Sequence, residues 1–295
     1  MNTSPQCQAE PSRLRTAVLI GANPEILAML QDTLDPLDWR VQQASDNETA
    51  LAIAADTRVD LVITDENTSA RVDVALLHEI RKLHPHSLVI ILTDESKPAD
   101  VIASMRESAF SYFSKPISPS ALAEMVCAAT QSPSWDDGIK VLQGTPEWIQ
   151  ILARCRALTA ERLIQFVHEI IDVPEAERTA IGMAFREILM NAMEHGGHFH
   201  PDQYVEIAYI RSKHLVMCRV KDPGEGFTLQ EVEHSAIANP IDDPLRHITL
   251  REKRGMRPGG YGVLLTRQLV DDLIYNEKGN EVVLIKYINV PPTSR

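Results

Sequence analysis

Glu187-Ile188-Leu189-Met190-Asn191-Ala192-Met193-Glu194-His195-Gly196 is the stretch from which the rest of the chain can be read. It sets a carboxylate and a carboxamide four residues apart, and Pro174-Glu175 upstream is a helix start with acids in the first turn. The spacing predicts a helix running to His195, with Gly196-Gly197 as its stop. At about 100° per residue Glu187, Asn191 and Glu194 share one face, and Ile181, Phe185, Ile188, Leu189 and Ala192 take the other. One face is core, which leaves the polar face to line a pocket. Two glycine-rich turns follow, Asp222-Pro223-Gly224-Glu225-Gly226 and Gly259-Gly260-Tyr261-Gly262.

The 295 residues are enough for two domains, and 44% hydrophobic with 24% charged residues is ordinary globular composition. No run approaches the roughly 20 apolar residues of a membrane span. Residues 1–14 read as a polar tail, not a signal peptide. Cys7, Cys127, Cys155 and Cys218 have no metal-ligand spacing and suit reduced thiols of a cytoplasmic protein. A net charge of -12 argues against direct nucleic-acid binding, which leans on Lys and Arg.

Residues 15–130 alternate short apolar runs with amphipathic stretches. Strands are expected at Ala17 to Ile20, Trp39 to Ala44, Asp60 to Ile63, Leu88 to Leu92 and Phe110 to Phe113. Helices are expected from Pro24, Asn47, Val74, Ala99 and Pro119. Five strands alternating with five helices make a doubly wound α/β parallel sheet. Sites in such sheets lie at the carboxyl ends of strands, where Asp65, Thr93 and Lys115 fall.

Those residues carry a resemblance to the receiver domain of response regulators. It implies Asp65 as phosphoacceptor, Thr93 as switch hydroxyl, Tyr112 as switch aromatic and Lys115 as the lysine that holds phosphoryl oxygens. An upstream sensor kinase would be the phosphodonor. One departure stands out. The family's Mg²⁺-binding acidic pair after the first strand is here Gly21-Ala22-Asn23, so a metal at Asp65 and a degenerate receiver that signals by contacts alone both stay open.

Residues 131–138 have the Ser/Pro/Asp/Gly character of a linker. They are too few for the helical hairpin that carries the phosphorylated histidine of sensor kinases. His168, in a helix expected over Ala160 to Ile171, reads as an ordinary helix residue.

Residues 139–295 read as α+β. Strands are expected at Glu147 to Cys155, Tyr204 to Ile210 and Leu215 to Val220. A terminal hairpin of Asp272 to Tyr275 and Val282 to Tyr287 has Lys278-Gly279-Asn280 in its turn. The segment Phe227 to Pro258 is long enough to be a lid, and its cations precede a glycine turn that opens a helix at Val263.

The ordered set (Glu-x3-Asn on a helix, Asp-x-Gly-x-Gly after a strand, Gly-Gly-x-Gly opening a helix) resembles the two-layer GHKL, or Bergerat, ATP-binding sandwich. Histidine kinases, gyrase, certain heat-shock chaperones and anti-sigma-factor serine kinases share it. The string Arg186 to Gly196 and the helix from Gly262 look most like the last group. The resemblance implies ATP and Mg²⁺ as cofactors, with Glu187 as general base and Asn191 as the Mg²⁺ ligand. Asp222, Gly224 and Gly226 would hold adenine. Gly260 and Gly262 would hold phosphate, helped by Arg254 or Arg257. The implied activity is phosphorylation of Ser or Thr on a STAS-type anti-sigma-factor antagonist. Homodimerisation is usual for those kinases, although no heptads support it here. The alternatives are a non-enzymatic module that binds ATP or sequesters a partner, and a phosphatase or cofactor for a sensor kinase.

Overall fold

The computed structural model describes residues 14–65, 70–94, 96–131, 138–226 and 262–288, with 249 and 253 as isolated positions. The chain divides into two compact units, Met1–Ser96 with Ala109–Trp135 and Lys97–Ser108 with Asp136–Arg295.

The first unit is built on five parallel strands: β1 (Arg15–Ile20), β2 (Trp39–Ala44), β3 (Leu61–Thr64), β4 (Leu88–Thr93) and β5 (Ser111–Ser114). Their order is β2-β1-β3-β4-β5. Helices α1 (Pro24–Thr33), α2 (Asn47–Asp56), α3 (Ala70–Leu83) and α5 (Pro119–Thr130) connect or follow them, while α4 (Pro98–Arg106) groups with the second unit. Ile20, Leu61, Ile63, Ile90 and Ile91 are wholly buried, as the unbroken apolar runs of a sheet covered on both faces require. The register sets the strand ends level. Asp65 N–H donates to Ile20 O (2.8 Å) and Lys115 N–H to Thr93 O (2.8 Å), so Asp65, Thr93 and Lys115 share one edge of the sheet.

The second unit holds a six-stranded antiparallel sheet of order β10-β11-β9-β8-β7-β6. Its strands are β6 (Ile139–Thr145), β7 (Trp148–Arg154), β8 (Tyr204–Arg211), β9 (Leu215–Lys221), β10 (Asp272–Tyr275) and β11 (Glu281–Tyr287). β7 and β9 alternate buried with half-buried residues, and their buried set includes Ile149, Ile151, Val216 and Val220. Helices α6 (Ala157–Ile170) and α7 (Glu175–Asn191) bring Leu163, Phe166, Ile181 and Phe185 to the core, and α8 (Gly262–Leu269) buries Thr266.

Two elements differ from the sequence reading. β6 was not expected, because it is an edge strand with a register shift between Val141 and Gln143 and shows no clean alternation. The helix expected to run to His195 is α-helical only to Asn191 and continues as a π-helical turn over Ala192–Gly196. Gly197 N–H closes that turn on Ala192 O (2.9 Å), and the wider ring turns Ala192 and Met193 into the core.

Candidate functional site

The polar face of α7 meets the first residue of α8. A Cβ placed on Gly262 would stand 2.5 Å from Glu187 Oε2 and 3.8 Å from Asn191 Nδ2. The Thr266 hydroxyl donates back to Gly262 O (2.8 Å), closing the first turn of α8. A carboxylate, a carboxamide and the start of a helix, with its free N–H groups, are thus brought to one place.

Asp222 lies just past the end of β9. Its Oδ1 accepts from Gly224 N–H (2.8 Å), which folds the turn back on its own carboxylate. Burial pushes the Asp222 carboxyl above its ordinary value, opposed by the Gly224 amide and by the charge of Lys278. The π-helical turn supplies the other wall. A Cβ at Gly196 would collide with the Asp222 side chain, and one at Gly224 would lie 3.0 Å from Gly196 Cα. Gly197 packs so closely on Cys155 that any side chain there would meet Sγ. Burial, and then the Asp222 charge, push the Cys155 thiol up to about 11, which keeps it protonated and not nucleophilic.

The site residues expected from sequence divide accordingly. Glu187, Asn191 and Gly262 come together, and Asp222, Gly224 and Gly226 form one turn with Gly196 against it. Arg254, Arg257 and Gly260 lie outside the described residues, as does the proposed lid apart from two positions. Only a glycine lets the start of α8 come this close to the Glu187 carboxylate and the Asn191 carboxamide. A carboxamide oxygen together with helix-start N–H groups is a donor set suited to a nucleotide phosphate and its Mg²⁺. The sequence marks Gly196-Gly197 as a helix stop and Lys278-Gly279-Asn280 as a hairpin turn, and gives neither a place in the site. The latter is bonded to the Asp222 turn through Lys278 and Asn280.

In the first unit Asp65 is buried, its side chain 3% exposed, beside a cavity of about 490 Å³ whose lining includes Asn23, Glu25, Asp94 and Lys115. Lys115 Nζ stands 3.0 Å from Asp65 Oδ1, off the angle of a hydrogen bond. It donates to Asp65 O (3.2 Å) and to Asp94 Oδ2 (3.5 Å). Thr93 and Tyr112 are fully buried in β4 and β5. The residues do not fit the Mg²⁺ that a receiver implies. Gly21 and Ala22 have no side-chain oxygen, and Asn23 Oδ1 is occupied as the α1 cap by Glu25 N–H (3.0 Å) and Ile26 N–H (3.3 Å). Among the described residues no group of three or more His, Cys, Asp or Glu could hold a metal ion. Nor is any described helix long and apolar enough to cross a membrane.

Comparison with known proteins matches residues 18–127 to the response regulator receiver domain and residues 152–286 to the histidine kinase-like ATPase domain. The transcriptional regulatory protein GlrR of Escherichia coli is 27% identical over 143 residues, 47% of this chain and 32% of GlrR. The transcriptional regulatory protein CpxR of Klebsiella pneumoniae is 28% identical over 120 residues, 41% of this chain and 51% of CpxR. The matches thus span 32% and 51% of those relatives' own lengths. A response regulator of Thermotoga maritima aligns over 41% of this chain and 100% of its own, at 21% identity and a TM-score of 0.36. A receiver domain protein of Clostridium thermocellum aligns over 39% and 94%, at 30% identity and a TM-score of 0.31.

Proposed function

From a chain that joins a response regulator receiver domain to a histidine kinase-like ATPase domain, we propose a signalling protein whose ATPase domain is a serine/threonine kinase. Its substrate would be a small anti-sigma-factor antagonist of the STAS type, and its input would arrive at the receiver. A receiver domain implies a phosphodonor or sensor kinase upstream, and the ATPase domain implies ATP. Because Asn23 spends its oxygen on the α1 cap, the proposed input reaches this receiver by protein contact and not by phosphate on Asp65.

The observation that carries the kinase reading is the approach of Gly262 to Glu187 and Asn191. In the proposed reaction the hydroxyl oxygen of Ser or Thr attacks the γ-phosphorus of ATP, and the bond from that phosphorus to the bridging oxygen breaks. ADP leaves, and the hydroxyl proton passes to the Glu187 carboxylate. The amides at the α8 start would hold phosphate oxygens, and Asn191 would hold a Mg²⁺, which would supply neutralisation of phosphate charge. Asp222 accepts from the adenine amine.

Two observations weigh against a histidine autokinase. Only residues 131–138 separate α5 from β6, too few for a separate histidine-bearing helical hairpin. His168 packs from α6 against Gly182 of α7, within the stretch matched to the ATPase domain. The product carries roughly two added negative charges, enough to break a protein interface by desolvation and repulsion. Partner exchange would follow from that change.

The test is transfer of γ-labelled phosphate from ATP, with Mg²⁺, to a panel of antagonist domains. Transfer that Glu187→Gln abolishes while ATP binding survives supports the kinase. Nucleotide binding with no transfer to any domain would favour a sequestering module.

A further inference from the structure

We propose that the β10–β11 turn, Asn276 to Asn280, is a positioning element that sets the nucleotide-base preference of the Asp222 turn. This rests on the nucleotide-site reading above and goes beyond it, because none of these residues belongs to the ordered motif set that suggested the site.

The turn is organised from within by Asn276. Its Oδ1 accepts from Gly279 N–H (2.7 Å), Asn280 N–H (3.1 Å) and Glu281 N–H (3.2 Å). Its Nδ2 donates to Asn280 Oδ1 (3.0 Å). With that oxygen engaged, Asn280 presents its own Nδ2 outward, and it donates to Asp222 O (3.3 Å) and Gly224 O (3.3 Å). Asp222 N–H in turn donates to Asn280 O (2.9 Å). Lys278 Nζ adds a third side-chain bond, to Gly224 O (3.0 Å). Asn280 is only 6% exposed, so these groups satisfy one another where water has little access.

The fit extends to the backbone. Gly226 adopts φ +85°, and a Cβ there would run into Lys278 O, so the two turns lie in direct contact. Asp222 therefore has its backbone gripped by Asn280, its carboxylate gripped by Gly224 N–H, and Gly196 against its side chain. A base-reading carboxylate discriminates between adenine and guanine only if it is held in place, since an amine presents a donor where a carbonyl presents an acceptor. Lys278 has a second effect. Its charge opposes the rise that burial imposes on the Asp222 carboxyl, which favours the ionised, accepting form.

The experiment uses the full chain, with N-methylanthraniloyl-ATP as the fluorescent probe and ATP and GTP as competitors. Lys278 is exposed, so Lys278→Met should lower the apo melting temperature only slightly. It should weaken ATP about ten-fold and narrow the preference for ATP over GTP. The pH at which acidification weakens binding should also move upward, and Lys278→Arg should restore all three. Asn280→Ala should narrow the preference further. Wild-type affinity, preference and pH profile in both Lys278→Met and Asn280→Ala would overturn the positioning role while leaving the nucleotide site intact. A wild-type chain that binds neither probe nor ATP would overturn both.

Discussion

Gly262 opens α8 directly against Glu187: a Cβ at Gly262 would stand 2.5 Å from Oε2 of that carboxylate. Two residues 75 positions apart thereby define one site, and each predicts a distinct loss. Gly262→Ala should push the carboxylate aside and slow phosphate transfer about a hundred-fold, the usual cost of an ångström-scale misplacement. Glu187→Gln should lower transfer by roughly 10²–10⁴ with ATP affinity kept. Initial rates with labelled ATP, beside direct ATP titrations, separate the two. Wild-type transfer in Glu187→Gln would remove it as the base.

The glycines of and after α7 should respond unequally to a methyl group. Gly197→Ala meets Cys155 Sγ and Gly196→Ala meets Asp222, so overpacking should cost about 1–3 kcal/mol at each. Gly182, inside α7, faces only His168 Nδ1 at 3.7 Å. Gly182→Ala should therefore stabilise by about 0.5–1 kcal/mol, the helix-interior gain. Urea unfolding of the three variants gives the ranking, and equal effects would contradict the contacts.

These contrasts also show what sequence could and could not reveal. Leu88 to Leu92 is apolar on every residue because both faces of β4 are covered, so its reading needed no tertiary knowledge. Glu187 and Asn191 were legible because helical periodicity alone places them on one face. The π-helical turn was not, because its residue types suit an α-helix and only the Gly197 to Ala192 bond distinguishes it. Nor was the Asn280 clamp, which depends on a contact between residues 56 and 58 positions apart. β6 hid for another reason: one edge strand with a bulge buries too few side chains to write a period.

The raised Asp222 carboxyl predicts a sign for pH dependence. A carboxyl lifted above its ordinary 3.8 binds its proton more tightly in the folded chain than in the unfolded one. Its contribution to stability is therefore greatest at low pH and falls as pH rises from 3.8 through the folded value. Asp222→Asn keeps an oxygen for Gly224 N–H while removing the buried charge. At pH 7 the apo variant should melt higher than wild type, and the gain should shrink toward acid pH. Its ATP affinity should fall, because the neutral amide is the weaker acceptor for adenine. Scanning calorimetry across pH, paired with ATP titration, checks both; a lower apo melting temperature at pH 7 would contradict the burial argument.

Lys115 should be the residue on which the Asp65 site depends. Asp65 is 3% exposed and Lys115 21%, with 3.0 Å between Nζ and Oδ1. Lys115→Ala would leave that carboxylate buried without its counter-charge, a loss of about 3–5 kcal/mol in a wholly dry pair. The partial exposure of Lys115 brings the expected cost to about 2–3 kcal/mol. Asp65→Asn in the Lys115→Ala background should recover most of it, since a neutral amide needs no ammonium. Millimolar Mg²⁺ should leave the wild-type urea midpoint unchanged, because Asn23 spends its oxygen on the α1 cap. Beryllofluoride with Mg²⁺ should likewise fail to bind. A saturable Mg²⁺ stabilisation of the size linkage gives at 100 times Kd, about 2.7 kcal/mol, would instead establish a metal set at Asp65 and reopen its phosphorylation.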